Sequence, residues 1–286
     1  MSRYIIYTYQ FEPITSIQKT LFPATNILPI KDRMEQKQNI FETFFDETKN
    51  PWYRGKKDKY ESQTLHHEDH FIVFRLANNT YQRIEESFHI SKLPHHPSCI
   101  VIIDNRQDIQ HIAIEENSNA FRDTNVVAQI LYYTYNDFLR KHGLHITINR
   151  DFQESEFWYL VKQYPHITMV RFQFSYPNLP RTLSSVNKLL ATSSAAANSK
   201  TTKFEFNSAP SEHLTLDPTN DFLKTLAKTA ADSGQEIIIK AKGIRHQIHT
   251  GTTFKSIEID DINVLIQDNL LEHPTVKLAT KFNSIK

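Results

Sequence analysis

Ile167-Thr168-Met169-Val170-Arg171-Phe172-Gln173-Phe174-Ser175 is rich in β-branched and aromatic residues, and its second half alternates apolar with polar side chains. That is the pattern of a strand with one buried face and one open face. Working outward, His145 to Asn149, Lys203 to Asn207 and Gln235 to Lys242 read as strands of the same kind. Phe152 to Gln163 reads as a helix between the first two. Asp217-Pro218 opens another, with an acidic cap and a proline in the first turn; it runs to about Asp232, and Ser233-Gly234 ends it. A further helix over Pro180 to Leu190 and a Ser/Thr/Ala-rich surface loop from Ala191 to Thr202 are insertions in this series. Without them the order is β-α-β-β-α-β, the ferredoxin-like pattern. Arg245 to Ile259 reads as a trailing hairpin turning at Thr250-Gly251, and the tail has no firm pattern.

Toward the N-terminus, Arg3 to Phe11 predicts a strand, and Pro13, Pro23 and Pro29 break the following stretch into loops. Asp32 to Thr48 predicts an amphipathic helix with Ile40, Phe41, Phe44 and Phe45 toward one side. The charged run Arg54 to Lys59 reads as a solvated loop. His70 to Ala77 and Thr80 to Ile90 read as two strands around Asn78-Asn79. Ser98 to Asp104 is an apolar, buried strand, Asn105 to Asp108 a turn, and Ile109 to Glu115 a second strand. A long helix spans about Asp123 to Lys141, capped by Asp123 or Thr124, with Gly143 where a left-handed C-cap belongs. The expected fold class is α+β. A mixed, β-rich N-terminal half (1–142) packs on a ferredoxin-like C-terminal half (143–286).

Composition narrows the function. The chain has 286 residues, enough for one large or two ordinary domains, and 33 Lys+Arg against 32 Asp+Glu leave a net charge of +1. No global field draws it to nucleic acid or membrane, so a basic partner surface must be local. Cys99 is the only cysteine, which excludes a disulfide framework and a thiolate zinc site and fits a reducing compartment. Five separated glycines exclude G-x-G-x-x-G and Walker loops. The opening residues carry no long apolar segment, and no apolar run approaches a membrane span, so a cytoplasmic location is expected.

Four constellations carry candidate chemistry. Asp104 and Glu115 each close a strand of one hairpin, as the carboxylates of D…E-x-K nucleases do; they are the candidate catalytic pair and the candidate Mg²⁺ ligands. The Lys position of that motif is Asn117. His66, Glu68 and His70 share a face if extended and are candidate ligands of a metal ion. H-x-[S/T] begins at His89, His96, His145, His166, His213 and His273. Two such motifs suit a phosphoesterase, with imidazoles as acid and base across a phosphate. His145 and His166, though, are separated by a single helix, whereas such a pair belongs to separate lobes. Last, parity places Ile146/Ile148, Phe172/Phe174, Phe204/Phe206 and Ile237/Ile239 against the helices. The opposite face carries His145, Thr147, Asn149, Arg171, Gln173, Lys203, Lys240 and Lys242, and Arg245, His246 and His249 extend it. Arg171, Lys203, Lys240, Lys242 and Arg245 are the candidate nucleic-acid contacts, suited to phosphates and not to base reading. Cys99 opens an apolar strand and reads as core.

Ile100 to Asn117 with the long helix, Arg171-Phe172-Gln173-Phe174, Pro177-Asn178-Leu179 and Leu216-Asp217-Pro218 to Gly243 together resemble an uncharacterised bacterial protein family associated with mobile elements and phage-defence neighbourhoods. The resemblance covers roughly the last two thirds and is one of pattern. It implies a setting, defence against phage, and carries over neither catalytic residues nor a mechanism. The expectation is a component of anti-phage defence that contacts nucleic acid through the basic sheet face. One alternative is a metal-dependent nuclease with Mg²⁺ on Asp104 and Glu115; the sequence points to no other specific cofactor, and low glycine leaves a nucleotide site of unfamiliar design open. The other is a non-enzymatic protein-binding subunit or homo-oligomer, anchored by Tyr4, Tyr7, Tyr9, Phe11 and Trp52.

Overall fold

A computed structural model describes residues 1–14, 29–46, 51–55, 58–107, 109–175, 201–260, 262 and 274–283, with isolated residues between 188 and 199. The fold is mixed α/β and strand-rich, with a curled sheet. Contacts divide it into two units, Met1–Ile148 with Ser256–Lys286, and Asn149–Lys255. The expected boundary at 142/143 is thus displaced slightly, and residues 256–286 rejoin the first unit.

In chain order the first unit contains β1 (Ser2–Pro13), α1 (Ile30–Glu35), α2 (Lys37–Asp46), β2 (Trp52–Arg54), β3 (Asp58–Glu68), β4 (Phe71–Ala77), β5 (Thr80–Glu86), β6 (His89–His95), β7 (Ser98–Asp104), β8 (His111–Glu115), α3 (Thr124–Arg140) and β9 (Leu144–Arg150). The last two residues of β9 belong to the second unit, which continues with α4 (Glu154–Gln163), β10 (Ile167–Ser175), β11 (Thr201–Asn207), α5 (Asp221–Asp232), β12 (Ile238–Ala241) and β13 (Ile248–His249). β14 (Ser256–Ile259) and α6 (Pro274–Asn283) return to the first.

The first unit is an eight-stranded sheet, in the order β14-β1-β8-β7-β4-β3-β2, with β9 also paired to β1. Its strands feed two cores. Tyr4, Ile6, Phe71, Val73, Ile100, Ile102 and Ala113 pack with Ile259, Leu278 and Phe282. Tyr9, Phe11, Phe74 and Trp52 join Phe41, Phe44 and Phe45 of α2 and Tyr135 and Phe138 of α3 in an aromatic cluster. Within it Phe41 meets Tyr135 edge-on at 4.8 Å, and Trp52 stacks on Phe74 at 4.9 Å between centroids. Such contacts stabilise beyond the area they bury. The expected helix over 32–48 is broken at Gln36 into α1 and α2. Nor does Asn78-Asn79 fold β5 onto β4, because both edges of β4 are taken by β3 and β7. Instead β5 and β6 form their own two-stranded sheet around Ser87 and Phe88, residues at φ 50° and 66°.

In the second unit the sheet order is β11-β10-β12-β13, every pair antiparallel. One face packs Ile167, Val170, Phe172, Phe174, Ile237 and Ile239 against Phe157 of α4 and Leu226, Ala227 and Ala230 of α5. Of the expected ferredoxin-like series, the first strand is absent from this sheet. Asn136 of α3 holds β9 in the first unit, accepting from Ile146 N at 2.8 Å and donating to Ile146 O at 2.9 Å, with Leu144 and Ile146 fully buried. The expected hairpin over 245–259 is not formed either, since β13 pairs with β12 and β14 with β1. Helix α5 starts later than Asp217 because that carboxylate is taken by Thr219 N and Oγ1, and Asn220 caps the helix instead, accepting from Phe222 N and Leu223 N. The expected helix over 180–190 falls, apart from two residues, outside the described residues, and Pro177-Asn178-Leu179 falls wholly outside them.

Candidate nucleic-acid interface

Strand parity in the second unit works as the alternation demands. Register places Arg171 opposite Glu205 and Ile238, Gln173 opposite Lys203, and Met169 opposite Lys240. The pairing shifts between Ile167 and Met169, where β10 has a bulge; this keeps both Ile167 and Val170 on the core side. Arg171, Lys203 and Lys240 therefore share the face turned away from α4 and α5, and Lys242 continues it one position beyond β12. Lys203, Lys240, Lys242 and Arg245 are exposed.

Two carboxylates temper this face. Glu205 accepts from Arg171 Nε, and Glu236 lies 3.0 Å from His249 Nδ1. Hydrogen bonds from Asn207 and then Arg171 hold the Glu205 carboxyl below its usual range. Lys240 and Lys242 make no ion pair among the described residues, so their charges are available to a ligand, whereas the Lys203 charge also helps to lower the Glu205 carboxyl. A backbone-contacting protein needs this, since phosphate binding draws on unneutralised cations that displace counterions.

The carboxylates of the nuclease reading are not brought together. In the β7–β8 pairing Asp104 lies opposite His111, at the turn, whereas Glu115 accepts from Ile100 N at 2.9 Å, at the open end. Four residues of strand, about 13 Å, separate the two levels. Asp104 is fully buried, and the Arg106 guanidinium engages both of its oxygens, at 2.9 Å from Nε to Oδ1 and 2.7 Å from Nη2 to Oδ2. Such a carboxylate has no oxygen to offer Mg²⁺. Asn117, in the Lys position, donates to Ser98 O and closes a turn. Asp104 and Glu115 therefore do not share one Mg²⁺ site in this structure.

His66, Glu68 and His70 do not form a ligand set. His70 leaves the strand at φ 67° and sits 2.7 Å from Glu42 Oε1, which also accepts from Asn105 Nδ2, itself beside Tyr9. This chain of hydrogen bonds ties α2 to the ends of β4 and β7. Burial, and then the Asp104 charge, push the Tyr9 phenol well above its usual value, so it stays a neutral donor. Among the described residues no group of three or more His, Cys, Asp or Glu is placed to hold a metal. Burial likewise pushes the Cys99 thiol up, which agrees with a core residue.

The aromatic anchors expected of a protein-binding subunit are core instead: Tyr4, Tyr7, Tyr9, Phe11 and Trp52 are all buried. Exposed apolar side chains gather on the β5–β6 hairpin, at Tyr81, Phe88, Ile90 and Leu93, with Phe88 at the tip 96% exposed. Sequence reasoning missed this hairpin because no glycine or asparagine marks its turn.

The H-x-[S/T] motifs separate. His145 contacts Tyr132 in the first unit, His96 pairs with Asn79, His89 lies on the exposed hairpin, and His273 falls outside the described residues. His166 and His213 meet, their ring centroids 5.5 Å apart at an interplanar angle of 82°. No family profile matches the chain, and no curated protein is significantly similar to it in sequence. Among the described residues no helix is long and apolar enough to cross a membrane.

Proposed function

We propose that this protein is a cytoplasmic component of bacterial anti-phage defence that contacts nucleic acid through the open face of its four-stranded sheet. The observation that carries the contact is the shared exposed face of Arg171, Lys203, Lys240 and Lys242, with Arg245 beyond them. Side chains of this kind on a sheet bind phosphates and set register without reading bases. The defence setting rests on the resemblance of Ile100 to Asn117 and of the 171–243 pattern. The test is binding to labelled single- and double-stranded DNA and RNA over a salt series. Salt-sensitive retention that Lys240→Glu plus Lys242→Glu abolishes is expected, with log affinity falling by roughly 0.7 to 0.9 per contacted phosphate for each unit of log salt. No retention at low salt overturns the reading.

A second reading, a protein-binding subunit, is favoured by the β5–β6 hairpin. A lone two-stranded sheet is marginal in water, and this one exposes apolar side chains on both faces. Its homo-oligomeric form is testable on the chain alone. Sedimentation of the full chain would show self-association that Tyr81→Ser plus Phe88→Ser removes, and a monomer at every concentration overturns it.

A further inference from the structure

His166 and His213 lie 47 positions apart, yet the fold seats them side by side. Leu214 N donates to Ile167 O at 2.8 Å and Ser208 N to Thr168 O at 2.9 Å, which lays the 208–214 segment along the entry of β10. On the other flank Lys242 N donates to His166 O at 2.9 Å. His166 is thus bracketed by a second imidazole and, through its carbonyl, by the backbone of Lys242. Both histidines are exposed, and neither contacts a carboxylate among the described residues. That distinguishes them from His67, His70 and His249, each beside an Asp or Glu. A histidine pair that served packing alone would have no need to stand exposed at both residues. The Thr168 hydroxyl donates to Lys240 O, which pins the bulge that turns β10 at this point.

We propose that His166 and His213 form an acid–base pair that cleaves single-stranded RNA without a metal ion. The inference rests on the nucleic-acid reading of the adjoining face and assigns its substrate class. One imidazole, neutral, takes the proton of a ribose 2′-hydroxyl as that oxygen attacks the neighbouring phosphorus. The other, protonated, gives its proton to the departing 5′-oxygen. The P–O2′ bond forms and the P–O5′ bond breaks, leaving a 2′,3′-cyclic phosphate and a 5′-hydroxyl, with no oxidant, reductant or water consumed. In the proposed reaction Lys242, whose backbone N–H donates to His166 O, has the role of offsetting the negative charge that builds on the phosphate. DNA lacks the 2′-hydroxyl and is not a substrate.

The experiment uses the full chain, a labelled single-stranded RNA and the matching all-deoxy strand, in excess EDTA, with binding measured on the same samples. Expected are cleavage of the RNA alone, 2′,3′-cyclic phosphate ends and a bell-shaped pH profile. His166→Asn and His213→Asn should each slow cleavage by about 100-fold or more while still binding RNA. His89→Asn, which removes an H-x-[S/T] histidine from the exposed hairpin, should cleave at the unaltered rate. RNA binding without cleavage overturns the acid–base pair and leaves the basic face standing. Cleavage at equal rates in all three variants also overturns the pair. Histidine-dependent cleavage without salt-sensitive retention keeps the pair and overturns the basic face.

Discussion

Strands β4 and β10 are both central, antiparallel and rich in phenylalanine, yet their surroundings differ. In β4, Phe71 and Val73 enter one core while Phe74 enters the aromatic cluster on the other side, and Ile72 and Leu76 are buried as well. In β10, Val170, Phe172 and Phe174 are buried, and Arg171 and Gln173 between them are half-exposed. A sheet covered on both faces stabilises its unit and leaves no strand surface for a ligand. A sheet covered on one face presents a row of side chains on a rigid backbone, the arrangement that lets a surface do chemistry. Asp104 of the first sheet is accordingly consumed internally by Arg106, whereas Lys240 and Lys242 of the second stay available.

The largest effect expected from this contrast is in the doubly covered sheet. Phe41→Ala removes a fully buried ring that touches Tyr9, Phe11, Phe45 and Tyr135, and should cost about 4 kcal/mol in urea unfolding. A cost below 1 kcal/mol would mean the aromatic cluster is loosely packed. Next comes Gly234, at φ 66°, where an added Cβ would meet Asn149 Cβ at 2.5 Å and Arg150 O at 2.9 Å. Gly234→Ala should destabilise the second unit by about 3 kcal/mol, from left-handed strain plus the backbone clash. The same substitution at Gly55 meets nothing within 4 Å and should cost only the strain.

A smaller effect is expected at Glu156, near the start of α4. Its carboxylate accepts from the Thr252 hydroxyl and from the N–H groups of Gly251, Thr252 and Thr253, fastening the loop by which the chain leaves β13. Burial alone would raise its pKa; the Thr252 hydroxyl and the three N–H groups outweigh this and lower it. A depressed carboxyl adds stability above its unfolded value, near 4.3, and loses it as pH falls through the folded value. Glu156→Gln should therefore cost about 1 kcal/mol at pH 7, the discount reflecting partial exposure. The gap from the unaltered chain should close below about pH 4. A gap independent of pH would show that shape and not charge holds the loop.

Smallest of all in stability should be Lys240→Glu plus Lys242→Glu, within about 0.5 kcal/mol because both side chains are exposed. If the urea midpoint moves well beyond that, the open face is a packing surface and the contrast with β4 fails.

Much of this was legible in the sequence. The strand from 98 to 104, the strand expected over 109 to 115 and found over 111 to 115, the long helix capped by Asp123 and followed by Gly143 at φ 69°, and the apolar parity of β10 to β12 are local patterns that the structure keeps. The open face was legible for the same reason, because alternation alone decides which side of a strand Arg171, Lys203 and Lys240 occupy. Partners were not legible. The Asn136 side-chain amide claims the backbone of Ile146 through hydrogen bonds that no spacing announces, and β14 crosses back to β1 from more than 250 positions away. The hairpin turn at Ser87 and Phe88 was hidden because non-glycine residues occupy its left-handed positions.

The sequence by itself determined the strand over 98–104, the long helix after Asp123 and the strand over 167–175, and which of their side chains face in, since both depend on periods of two or three to four residues. Only the tertiary structure decided which strands pair, that Arg106 engages both oxygens of the buried Asp104, and that His166 meets His213. Those outcomes depend on which strand edges and carbonyls are already taken, a competition among distant segments that local spacing cannot express.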